Sequence, residues 1–255
     1  MAEEHSNQPR DDSRRNFLRN SSLAIGGLVV GGVVGTALTG GFKKKEEAKP
    51  ETPAQNEKPS VNYNQALMFF SQEQFRLADA AAERIFPKDD IGPGAKELGV
   101  AFYIDHQLAG PWGMNARDYM IGPFYKAEAT QGYQSSFKRH ELITNGLMAM
   151  KEYSQKKYSK SFEELGEAEQ DEVLKVLEKG EEVQSYGLSS KVFFSMFRSL
   201  TIEGVYADPL YGGNQNMMGW KMKNYPGDQM SYYNVIEQDA PFRMEPSSLH
   251  NHMNH

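Results

Sequence analysis

Between positions 189 and 206 the apolar residues Val192, Phe193, Met196, Phe197 and Leu200 recur three and four places apart. That spacing puts side chains on one face of an α-helix. Nowhere in the 255 residues is there a sustained two-residue alternation with β-branched enrichment, so a substantial sheet is not expected. Upstream, Ser71-Gln72-Glu73-Gln74 has the form of a capping box. Behind it Phe75, Ala78, Ala82, Ile85 and Phe86 keep helical spacing until Pro87 stops the run. Pro93 suits the first turn of a second helix, with Leu98, Ala101, Phe102, Asp105 and Leu108 on one face before Gly110-Pro111. A helix over 135–158 would turn Ile143, Leu147, Met150 and Tyr153 inward. Ser161-Phe162-Glu163-Glu164 is a second capping box, ahead of a Val173, Leu174, Leu177 stripe that closes near Gly180. The expectation is an all-α fold, a compact helical bundle with two long irregular segments, 110–134 and 207 to the C-terminus. Such long segments are usually functional or disordered. Their content of Trp, Tyr, Phe and Met argues for ordering against something.

The N-terminal sixty residues read as an address and a tether rather than as part of that bundle. Ser13-Arg14-Arg15-Asn16-Phe17-Leu18-Arg19 has the pattern of a twin-arginine export signal, a receptor-read address carried by Ser13, Arg14, Arg15, Phe17 and Leu18. Residues 23–42 carry no charge, about a third of them are Gly, and twenty residues are just enough to span a bilayer. An ordinary signal anchor preceded by a chance Arg-Arg is the competing reading. Four basic residues lie on each side of the span, so the positive-inside rule gives no orientation. Ala37-Leu38-Thr39 is a fair approximation to a cleavage site; if it is missed, the segment stays as a membrane anchor. Residues 43–60 are charged and Pro-containing, with almost nothing to bury, and read as a flexible linker. The domain plan is therefore 1–42 signal or anchor, 43–60 linker, 61–230 helical domain and 231–255 irregular tail.

Chemistry is scarce. The chain has no Cys, which excludes disulfides, thiolate-held iron–sulfur clusters, covalent c-type haem and a cysteine nucleophile. A formal charge of −6 gives no electrostatic reason to expect nucleic acid as a partner. Glu-x-x-His, His-Glu-x-x-His and Gly-x-Ser-x-Gly are all absent. His250, His252 and His255 crowd the C-terminus, where they are either weak candidates for metal ligands or a solvated tail. His106 follows Asp105, either as a tuned base or, since adjacent helical residues diverge, as a surface pair. His140 is expected on a solvated face. The segment that stands out is Asp208-Pro209-Leu210-Tyr211-Gly212-Gly213-Asn214, followed by Gly219-Trp220 and Tyr225-Pro226-Gly227. Its glycines permit tight reversals. Its large side chains fit a loop folded over its own bundle, a docking surface for another protein, or a sugar-stacking site.

These residues carry a family resemblance. Ala82-Glu83-Arg84-Ile85-Phe86-Pro87, then Gly92-Pro93-Gly94-Ala95, Phe193-Phe194 and above all residues 201–214 resemble the gluconate 2-dehydrogenase subunit 3 family over about 70–227. The resemblance implies an accessory, non-catalytic subunit without a cofactor of its own. FAD would sit on a large glucose–methanol–choline-type (GMC-type) dehydrogenase subunit that oxidises a sugar or sugar acid. A cytochrome subunit can carry electrons onward, and the twin-arginine translocase would export the folded pair to the extracytoplasmic face of the membrane, in a periplasm or at the cell surface. No catalytic residue is carried over by the resemblance. Docking is expected to involve Asp208, Pro209, Tyr211, Gly212, Gly213, Asn214, Trp220 and Tyr225. Two other readings stay open: a free-standing exported sugar or polyol oxidoreductase, and an exported metal-binding protein using the C-terminal histidines.

Overall fold

Ser71 begins the first helix as its sequence predicts. In the computed structural model, which describes residues 65–125, 128–180, 187–239 and 242–249, Ser71 Oγ accepts the Gln74 amide at 3.2 Å and Gln74 Oε1 accepts the Ser71 amide at 2.9 Å. Helix α1 (Gln72–Ile85) ends with the Phe86 amide on the Ala82 carbonyl, and Pro87 prevents continuation. Its inner face is mostly small, Leu77, Ala78, Ala81 and Ala82, which lets neighbouring helices approach closely. The export signal (Ser13, Arg14, Arg15, Phe17, Leu18), residues 23–42, the linker and His250, His252 and His255 all lie outside the described residues.

The second helix starts later than expected. Helix α2 is Val100–Ala109, and Pro93 lies in the turns before it. Glu83, near the end of α1, takes the Lys88 amide at 3.1 Å and the Lys96 amide at 2.8 Å, holding that stretch as a loop. Gly99, at φ 69°, then swings the chain into the helix. Helix α3 (Arg139–Tyr158) also starts late, for a comparable reason. Its first amides are taken from outside: Arg139 N donates to Asn115 Oδ1 at 2.8 Å, and His140 N to the Gly113 carbonyl at 3.1 Å. Ile143, Leu147 and Met150 are buried and Tyr153 is half-buried, as the spacing required.

The second capping box is only half made. Glu164 accepts the Ser161 amide at 3.1 Å, but Ser161 Oγ turns to the Glu163 carboxylate instead. A single 3₁₀ turn, Phe162–Glu164, results, and helix α4 (Glu167–Lys179) begins three residues later. It buries Val173, Leu174 and Leu177 and ends at Gly180, φ 77°. Helix α5 (Ser190–Tyr206) buries Phe193, Phe197 and Leu200, while Val192 is 41% exposed. A short helix α6 (Met218–Lys223) lies in a segment expected to be irregular.

Helix α5 is central, packing on α2, α3 and α4, while α1 closes the bundle against α2, α3 and α4. Gly146 of α3 makes one crossing possible: a Cβ there would fall 2.0 Å from the Phe193 ring. The described residues contain six α-helices and no strand, only an isolated bridge between Gly227 and Ser247. The fold is all-α.

Candidate partner-docking site

Helix α5 ends at Tyr206, and the chain turns back on itself at once. Asp208 Oδ1 accepts the Leu210 amide at 2.9 Å, and Pro209 starts the 3₁₀ turn Pro209–Tyr211, where its missing N–H costs nothing. Gly212, at φ 103°, closes the turn. Gly213 is needed for a different reason: a Cβ on it would stand 2.2 Å from the Gly204 carbonyl oxygen, so backbone lies directly on backbone. Asn214, fully buried at φ 46°, staples the loop at both ends. Its Nδ2 donates to the Ala207 carbonyl at 2.8 Å, and its Oδ1 accepts the Gly219 amide at 2.7 Å.

A second layer of contacts closes over this staple. Trp220 is 6% exposed and donates Nε1–H to the Tyr206 carbonyl at 2.7 Å. The Tyr225 ring meets it edge-on with centroids 5.4 Å apart. Gly227, at φ 75°, bridges to Ser247; the Asp228 amide donates to the Ser247 carbonyl at 2.7 Å and the Ser247 amide to Pro226 at 3.1 Å. Asp208 completes the arrangement by accepting Ser248 Oγ–H at 2.8 Å and the Leu249 amide at 2.9 Å. The excursion that leaves at Gly227 and returns at Ser247 is thus pinned at its base. Below the loop, burial and the neighbouring Glu203 carboxylate raise the Tyr103 phenol well above the ordinary range. It stays protonated and donates to Glu203 at 3.2 Å.

Most of the residues singled out in this segment serve the chain's own packing. Gly212, Gly213, Asn214 and Trp220 are buried, and Asp208 and Pro209 are half-buried. Tyr211 and Tyr225 face solvent, at 48% and 47% exposure. The pinned excursion adds Met230, Tyr232, Tyr233 and Ile236 to the exposed apolar surface. By sequence Met230 closes the helical domain and Tyr232, Tyr233 and Ile236 fall in the irregular tail; their aromatic and apolar character inside an acidic stretch is the available cue. Residues 225–249 carry Asp228, Glu237, Asp239 and Glu245 against Arg243, so this surface is acidic as well as aromatic.

Two histidine expectations are corrected. His106 and Asp105 do not form a surface pair. Asp105 is fully buried and accepts the amides of Met68, Phe69 and Phe70 at 2.6, 3.0 and 2.6 Å. His106 Nε2 lies 2.9 Å from the Ala66 carbonyl, where it serves as donor. His140 does not lie on a solvated face either. It is half-buried, with its ring edge-on to Phe69 at 5.5 Å. The glycines of the loop do not make a phosphate cradle for FAD. His106 and the Gly204 carbonyl occupy the space above Gly212 and Gly213 that a cradle would leave open.

The residues that build this clamp lie within a family match. The model of the family described as gluconate 2-dehydrogenase subunit 3 matches residues 72–227, more than half of the chain. No curated protein and no solved structure matches the chain. The matched region runs from the first residue of α1 to Gly227, at the base of the excursion. On that extent, the chain belongs to the gluconate 2-dehydrogenase subunit 3 family.

Proposed function

We propose that the chain is a non-catalytic accessory subunit that docks on the large, FAD-bearing GMC-type subunit of an exported gluconate or sugar dehydrogenase. The family match over residues 72–227 carries this reading, because a subunit of this family implies a larger dehydrogenase partner. The docking surface is the solvent side of the clamp and the excursion it pins: Tyr211, Tyr225, Tyr232 and Tyr233. Large aromatics held on a braced backbone suit a partner because little conformational freedom is lost when they are covered. The twin-arginine pattern at Arg14 and Arg15 supports a second role, carrying the folded partner through the twin-arginine translocase to the extracytoplasmic face of the membrane. A cytochrome subunit accepting electrons from the flavoprotein belongs to the same reading.

Purification of the tagged chain from its own host tests the pairing: a flavin-absorbing large subunit should accompany it, and recovery of the chain alone defeats the proposal. Arg14→Lys with Arg15→Lys should leave both subunits in the cytoplasm. Normal export of the large subunit in that variant would remove the carrier role.

A further inference from the structure

Residues 66–70 form a strap held by two neighbouring residues of α2. Asp105, fully buried, accepts the amides of Met68, Phe69 and Phe70 at 2.6, 3.0 and 2.6 Å. His106 Nε2 donates to the Ala66 carbonyl at 2.9 Å. Phe70 is 5% exposed and meets Phe69, whose ring lies edge-on to His140 of α3. The family match begins at Gln72, so the strap lies just outside it while the residues that hold it lie inside.

The chemistry of this attachment makes it reversible. Closing the strap takes a carboxylate out of water, and no Lys or Arg among the described residues pairs with it. Three amide bonds to the charged oxygens offset that desolvation. Opening returns the carboxylate and all three amides to water together, so neither side is left with an unmade bond. Burial of the Phe70 ring holds the balance toward closure.

His106 also touches the docking clamp. Gly212 closes the turn that carries Tyr211, and it lies directly on the imidazole: a Cβ there would stand 2.9 Å from Nδ1 and 3.2 Å from Cε1. Tyr103, on the same helix, donates to Glu203 at 3.2 Å beneath this loop. Strap and clamp therefore rest on one imidazole, the strap through Nε2 and the clamp over Nδ1 and Cε1.

We propose that the strap is a two-state element coupled to the docking clamp through His106, so that a flavoprotein seated on Tyr211 tightens the strap and an open strap weakens docking. The inference takes its partner from the docking reading above. With the strap open, His106 loses the Ala66 carbonyl and can tilt away from Gly212, and the turn beneath Tyr211 loses its support. A partner that needs that support favours the closed strap, and linkage requires the converse in equal measure. In sequence the Arg14-Arg15 pattern lies upstream of the strap. The state of the docking surface thus reaches the residues that join that pattern to the bundle.

Hydrogen exchange in the full-length chain, followed by mass spectrometry of peptides covering 66–71, 208–214 and 170–178, tests the coupling. Asp105→Asn keeps the side-chain size but removes the charge that holds the three amides. It should speed exchange in 66–71 by about ten-fold or more. Exchange in 208–214 should rise by about five-fold, with 170–178 in α4 unchanged. Asn214→Gly loosens the clamp from the other side and should speed 66–71 by about as much. Flavoprotein docked on the parent chain should slow 66–71 by about five-fold. Changes confined to the perturbed site overturn the coupling, and so does equal acceleration in 170–178, which would mean general loosening. A complex in which the flavoprotein leaves 66–71 unaltered also overturns it, while the docking proposal stands. Recovery of the chain without flavoprotein defeats the docking proposal, and the two substitutions still decide the coupling in the free chain.

Discussion

Asn214 combines two demands that few residues meet together, a left-handed backbone at φ 46° and a buried amide that both donates and accepts. Asn214→Ala would strand the Ala207 carbonyl and the Gly219 amide and strain the backbone. The expected loss is about 3 kcal/mol, read as a lower urea midpoint with an unchanged slope. Asn214→Gly should relieve the strain but recover neither hydrogen bond, falling between the two. Gly-Gly-Asn announced the reversal in the sequence, whereas the staple depends on the carbonyl of Ala207 and could not be read from composition. Asp105 was less legible still. Its helical face was visible, but the three amides that make a buried carboxylate acceptable come from 35 to 37 residues upstream. Tyr103 supplies a pH test. Its folded phenol is raised above the ordinary value of 10.0, so its contribution is complete below about pH 10. The contribution declines as pH rises further, because the unfolded chain loses the proton first. Tyr103→Phe should cost about 1 kcal/mol at pH 7 through the lost bond to Glu203. It should also flatten the fall in stability between about pH 10 and 11, measured by urea unfolding across that range.

Among the helices, the sequence located the interiors better than the starts. Apolar spacing alone found the buried stripe of α4 and, Val192 and the half-buried Met196 apart, that of α5, because a residue's face follows from its position modulo the helical period. The starts of α2 and α3 were misplaced because groups distant in sequence, Glu83 and Asn115, engage amides around them. The crossing of α3 and α5 hides another non-local fact. Gly146 in mid-helix looks like a propensity defect worth about 1 kcal/mol relative to Ala. Its lack of a Cβ is what admits the Phe193 ring, itself 1% exposed and unable to swing away. Gly146→Ala should therefore destabilise, by about 1–3 kcal/mol net, where propensity alone predicts a gain. Combining it with Phe193→Leu should cost less than the two single changes added, because the smaller side chain makes room. Thermal unfolding of the four chains would show stabilisation by Gly146→Ala, or strict additivity, if the crossing were looser than this.

At the scale of the whole molecule, the exposed aromatic residues among those described lie in two stretches of the chain, 119–125 and 211–233. The acidic surface is braced. Asp208 holds Ser248 and Leu249, and Gly227 pairs with Ser247, so the excursion bearing Tyr232 and Tyr233 leaves a fixed base beside Tyr211 and Tyr225's clamp. Tyr211 and Tyr233 are the informative pair, because among the described residues no ring contact ties them to the core, whereas Tyr225 packs on Trp220. If this surface carries the flavoprotein, Tyr211→Ala with Tyr233→Ala should weaken its retention by about 30-fold or more, as expected when aromatic anchors are removed from an interface. Circular dichroism and the urea midpoint should stay within about 0.5 kcal/mol of the parent, since both side chains are exposed. Tyr119→Ala with Tyr125→Ala, in the segment between α2 and α3, should leave flavoprotein retention unchanged. Loss of the flavoprotein from the second variant and not the first would move the interface to the segment between α2 and α3. Equal, small effects from both would place the interface on neither.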